Sequence, residues 1–122
     1  MKTEMTKNKE STRYFSTKHE ESICKALGGK RTPNSGAGNF KKGDIIVSNA
    51  DLLVEAKCSM SPKTSFSVKK EWLEKNKKEA FMNRNSNSCL CFNFEPDGSN
   101  YYVINEKLMK YLIECLSAEN SW

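Results

Sequence analysis

The stretch "KKGDIIVSNADLLVEAKCS", Lys41–Ser59, holds two short apolar runs separated by a polar turn. Residues 44–49 read as a strand, "NAD" (49–51) as a turn and 52–58 as a second strand, an antiparallel hairpin. Side chains alternate along a strand, so Leu53, Glu55 and Lys57 share one face, and Leu52, Val54, Ala56 and Cys58 share the other. Hairpin pairing carries Asp44, at the start of the first strand, alongside the end of the second, near Glu55 or Lys57. A lone charge among apolar strand residues is costly. Two carboxylates brought together repel unless a cation lies between them. Mg²⁺ suits that place, because it is hard and is often held by one or two carboxylates and water. A lysine beside it can position or deprotonate the attacking water, while the metal offsets charge building on a phosphate oxygen. The plain alternative is a surface hairpin on which Glu55 and Lys57 form an ordinary same-face ion pair.

Two neighbouring segments point the same way. Upstream, "TKHEESICKALGG" reads as a helix with Thr17 as N-cap and Glu20 at capping-box spacing, ended by Gly28–Gly29. Glu20 precedes Ile23, Cys24 and Leu27 by three, four and seven residues, so it lies on the apolar face and can supply a third acidic group. Its other reading is as a helix cap only. Between helix and hairpin, "KRTPNSGAGNFKKG" (30–43) reads as a loop whose glycines allow close approach to a ligand. Lys30, Arg31, Lys41 and Lys42 supply phosphate-seeking cations there, and Asn34 and Ser35 supply hydrogen bonds. It contains no phosphate-loop motif of the G-x-x-x-x-G-K-[ST] kind.

Downstream, residues 68–83 read as a helix with Ser67 as N-cap, Val68, Trp72, Leu73, Asn76 and Ala80 lying near one face. Lys69 and Lys70 open it, as phosphate contacts or as part of a solvated face, and Lys75, Lys77 and Lys78 read as solvated. Trp72 reads as core. "CLCFNFEP" (89–96) is a strand with Phe92 and Phe94 in the core, "DGSN" (97–100) a turn, and "YYVIN" (101–105) the return strand. An amphipathic helix over 106–116 closes the chain. The order α-β-β-α-β-β-α predicts one α/β domain over residues 17–117, with a mixed sheet of about four strands flanked by helices. Residues 1–16 read as a flexible arm and 118–122 as a tail, with Tyr14, Phe15 and Trp122 as candidate dimer contacts.

At 122 residues the chain suits one domain with a core of its own. Its net charge of +5 mildly favours a polyanionic partner. No apolar run is long enough for a membrane span, and the first residues carry no secretory signal. Cys24, Cys58, Cys89, Cys91 and Cys115, an odd set without CxxC spacing, read as reduced core thiols in a cytoplasmic protein. With His19 as the only histidine, a zinc site is not expected.

Taken in order, Glu20, "GGKRTPNSGAG", "KGD" at 42–44 and "VEAK" at 54–57 resemble the PD-(D/E)xK nuclease superfamily, in particular its phage and archaeal Holliday-junction-resolvase-like branch. "SFSVKKEWLEKNKKEA" (65–80) is similar to the segment after the E-x-K strand in phage members. Gly43 stands where the superfamily name has proline. The resemblance implies a restriction-endonuclease-like core and a catalytic set of Glu20, Asp44, Glu55 and Lys57. The three carboxylates would be the metal ligands, and Ser35 would lie in the loop before the aspartate. It also implies Mg²⁺ or Mn²⁺ as cofactor, branched DNA as substrate and a homodimer as the working form. Lys30, Arg31, Ser35, Lys41, Lys42, Lys69 and Lys70 are the candidate DNA contacts. Two other readings stand beside it: a nickase or repair endonuclease acting on duplex DNA, and a non-catalytic nucleic-acid-binding protein with a nuclease fold.

Overall fold

The computed structural model describes residues 4–32 and 44–121, with side chains from Ser11 onward in the first segment. Helix α1 spans Glu4–Leu27, followed by strands β1 (Lys30–Arg31) and β2 (Asp44–Val47). A 3-10 turn, Ser48–Ala50, leads to β3 (Leu52–Lys57). Then come α2 (Lys70–Met82), β4 (Asn87–Phe92), β5 (Tyr101–Val103) and α3 (Glu106–Glu119). The strands form one sheet in the order β1-β2-β3-β4-β5. All pairings are antiparallel except β3 with β4, which run parallel and are joined through α2. The α/β class and the mixed sheet are thus as expected.

The hairpin forms because its turn suits it. Asp51 takes the left-handed conformation (φ 52°), which aspartate tolerates better than most residues. Its carboxylate accepts from the Ser86 backbone N–H at 3.0 Å, its carbonyl accepts from Asn87 N–H at 3.0 Å, and Asn87 Nδ2 donates to the Ala50 carbonyl at 3.1 Å. One turn therefore aligns β2 on β3 and β3 on β4.

The two sheet faces are covered from opposite sides. Ile45, Val47, Val54, Cys89 and Cys91 form a buried cluster with Ile23 of α1, and Cys24, Leu27, Leu52, Ala56 and Ile104 pack around it. Burying such side chains stabilises by about 1.5–3 kcal/mol each. The alternating residues, Leu53, Glu55 and Lys57 of β3 with Leu90 and Phe92 of β4, face the α2 side. Gly29 lets the chain leave α1 hard against β2, since a Cβ there would lie 2.7 Å from Ile45 Cγ2.

Several expected boundaries move, each for a local reason. The first helix does not start at Thr17: residues 4–16, expected as an arm, are helical, and no glycine or proline interrupts the chain before Gly28. The sheet has a fifth strand, because Lys30 and Arg31 pair with Ile46 and Ile45; two residues are too short to show a pattern. Lys69, not Ser67, stands at the N-cap of α2. Strand β4 stops at Phe92, since Asn93 turns to Ser59: Ser59 N–H donates to Asn93 Oδ1 and Ser59 Oγ to the Asn93 carbonyl, both at 2.8 Å. Helix α3 runs to Glu119, beyond the expected end at 116.

Cys89 and Cys91 are buried as expected, but Cys115 is exposed on α3, and all five thiols are free. Among the described residues, no helix is long and apolar enough to cross a membrane.

Candidate active site

Register decides the site. In the β2–β3 ladder Asp44 lies directly opposite Glu55. Directly opposed residues of an antiparallel pair put their Cβ atoms about 5 Å apart on one face. Asp44 is 1% exposed and Glu55 8%. The two carboxylates therefore share a confined, water-poor place on the α2 side of the sheet. Asp44 is further fixed through its main chain, whose carbonyl accepts from Thr32 N–H at 3.1 Å and Thr32 Oγ1 at 3.2 Å.

Lys57, two residues after Glu55 on the same face, brings its Nζ to 3.4 Å from Glu55 Oε1. That is longer than a charge-assisted hydrogen bond, about 2.7–2.9 Å. The same ammonium lies over the Trp72 ring, 4.3 Å from its centroid, and Lys69 Nζ lies 5.6 Å from that centroid. Trp72 is thus not simple core, as expected from periodicity. It is half-buried and meets the site. Phe92, the cross-strand neighbour of Lys57, stacks on Phe66 at 4.5 Å and meets Phe94 edge-on at 5.4 Å. These rings are half-buried and wall the lysine's side of the site instead of filling the core.

Glu20 behaves differently. It is 3% exposed, on the apolar side of α1 as expected, but its Oε1 accepts from Arg31 Nε at 3.0 Å. Arg31 pairs with Ile45 and so points to the α1 side of the sheet, while Asp44 and Glu55 point to the other. Among the described residues, no group of three or more histidine, cysteine, aspartate or glutamate side chains can hold a metal ion. The structure therefore joins Asp44, Glu55 and Lys57, and joins Glu20 to Arg31 instead. The reason is an ion pair between residues 11 apart, which helix periodicity does not reveal.

Of the expected DNA contacts, Lys30 and Arg31 lie exposed on the short edge strand β1, and Lys69 lies beside Trp72. Lys70 is exposed and pairs with Glu74 at 3.7 Å along α2. Ser35, Lys41 and Lys42 lie outside the described residues, as does Trp122. Tyr14 is exposed, with Lys18 Nζ 5.2 Å from its ring centroid, and Phe15 meets it edge-on at 5.4 Å.

Thiol chemistry is disfavoured at the two buried cysteines of β4. Burial pushes Cys89 and Cys91 up to about 12, so neither is a thiolate at neutral pH. His19, whose Nε2 is 3.7 Å from Cys91 Sγ, has its pKa lowered by burial.

Two opposed carboxylates offer hard oxygen donors of the kind Mg²⁺ takes, leaving its other positions to water and phosphate. Asp44 and Glu55, opposed on one face of the sheet, supply two such donors. Comparisons with known proteins find no matching family model, no matching curated protein and no matching solved structure.

Proposed function

We propose that the chain is a divalent-metal-dependent DNA endonuclease that hydrolyses phosphodiester bonds, with branched DNA such as a four-way junction as its substrate. The observation that carries this reading is the pairing of Asp44 opposite Glu55, with Lys57 on the same face. Asp44 and Glu55 would hold Mg²⁺, or Mn²⁺ in its place. When bound, such an ion neutralises charge on the scissile phosphate and favours deprotonation of water. Lys57 orients the attacking water or steadies a phosphate oxygen by donating from Nζ. Exposed Lys30, with Lys69, holds the phosphate backbone without reading sequence, which makes affinity fall with salt. Arg31, turned to the α1 side of the sheet by its bond to Glu20, lies off that face. Glu20 is then the partner of Arg31 and not a metal ligand.

A homodimer belongs to the same proposal. Helix α3 exposes Met109, Leu112, Ile113 and Leu116 along one face, at i, i+3, i+4 and i+7, each 42–54% accessible. An apolar helix stripe of this kind is normally covered. A second copy would cover it and set two sites on one branched substrate.

The test compares a labelled four-way junction, a flap and a linear duplex at matched salt, with Mg²⁺ or EDTA. Mg²⁺-dependent cleavage of the junction, lost in Glu55→Ala, is expected; preference for linear duplex would favour a nickase or repair enzyme. The lack of a third acidic ligand among the described residues favours one competitor, a non-catalytic nucleic-acid-binding protein. Tight junction binding without Mg²⁺-dependent cleavage would establish that competitor.

A further inference from the structure

Lys57 stands at the C-terminal end of β3, and a long lysine side chain there has four torsions to fix. Its ion pair to Glu55 is too long to hold it alone. The other contact comes from α2. A helix connecting parallel strands runs back along the sheet, so its first turn lies over the end where the preceding strand finishes. Trp72 is in that first turn, tied by its N–H to the Lys69 carbonyl at 3.0 Å. Phe66, 6.2 Å from the indole by ring centroids, braces it on one side and itself stacks on Phe92.

We infer that Trp72 is a positioning residue for Lys57, its indole face holding the ammonium at the edge of the carboxylate pair. Trp is the strongest aromatic partner for a cation, and a partly desolvated ammonium gains most from it. The arrangement limits Lys57 to a narrow set of orientations between Glu55 and the ring. It also keeps Nζ from collapsing into a short bond with Glu55. The catalytic consequence rests on the nuclease reading; the placement of the ammonium does not.

Two measurements separate these. The first is lysine side-chain NMR on the full chain, with Lys57→Met for assignment. Protons held over an aromatic face are shielded, so the Lys57 ε-methylene signal is expected upfield of the common lysine envelope. Trp72→Leu keeps apolar bulk in the helix and should return the signal to the envelope; Trp72→Phe should keep part of the shift. A wild-type signal inside the envelope, or one unmoved by Trp72→Leu, overturns the inference. Backbone amide spectra of each variant show whether it is folded, and Trp72→Phe remains decisive should Trp72→Leu unfold.

The second is cleavage kinetics. Trp72→Leu should lower kcat about tenfold, the size of one partly desolvated cation–π contact. KM for the DNA should stay within about twofold, and Trp72→Phe should recover most of the loss. A raised KM with kcat intact would make Trp72 a DNA contact and overturn the positioning role. A wild-type chain that cleaves nothing would sink the nuclease reading, and the NMR result alone would then decide where Trp72 holds the ammonium.

Discussion

Replacing Asp44 by asparagine tests the heart of the site without any DNA. Asparagine keeps the shape and removes one of two buried like charges that sit opposite each other. With one carboxylate fewer opposite Glu55, the pair loses a donor for a divalent ion. At a hundred times its Kd a bound ion adds about 2.7 kcal/mol to wild type and little to the variant. For a 122-residue domain each kcal/mol moves Tm by about 4 °C, so Mg²⁺ should raise the wild-type Tm by about 10 °C and that of Asp44→Asn by no more than about 2 °C. Differential scanning calorimetry of each protein in EDTA and in MgCl₂ reads the increment. A variant that keeps the full Mg²⁺ increment would refute the picture of two opposed carboxylates sharing a cation.

Three further outcomes are expected. Leu112→Glu on α3 should shift light-scattering mass from dimer to monomer at micromolar concentration while the far-UV spectrum is kept; an unchanged mass would remove α3 from the interface. His19 titrates below its ordinary value because burial disfavours its charged form, so the unfolded chain binds its proton first. Its stabilising contribution is complete above about pH 6.5 and is lost as pH falls below that. Urea midpoints should drop between pH 7 and 5.5, and less so in His19→Gln; as His19 is the single histidine, its NMR titration gives the midpoint directly. Asn93→Ala strips the acceptor from the buried Ser59 N–H and should cost about 1–3 kcal/mol by urea denaturation, an effect that Ser59→Ala, which leaves that N–H bonded, should not equal.

The hairpin was legible because it needs only period-two alternation and a turn: those place Asp44 beside Glu55 and leave Lys57 on the same face. Everything decided by a distant partner was not. Glu20 reads as a third ligand by helical spacing, yet Arg31 claims it across the strand that follows. The capping-box pattern at Thr17 and Glu20 suggested a helix start, whereas the polar residues before it simply continue the helix. Trp72 shares a helix face with Asn76 and Ala80, which reads as core; only the direction of the crossover shows that its turn of the helix reaches the end of β3. Strand β1 has two residues and no pattern to read, and the exposure of α3 depends on what lies beside it, which amphipathicity does not tell.

The Ser48–Asp51 turn carries a consequence for how this chain tolerates change. It lies about 13 Å from Asp44 along the strand, at the opposite end of the hairpin, and touches none of the acidic pair. Yet a single residue inserted or removed there would slide β2 by one position, turn Asp44 to the α1 side and set an immediate neighbour such as Ile45 opposite Glu55. A change of length in this turn should therefore be forbidden, so a part of the gene intolerant of indels would encode no residue of the site.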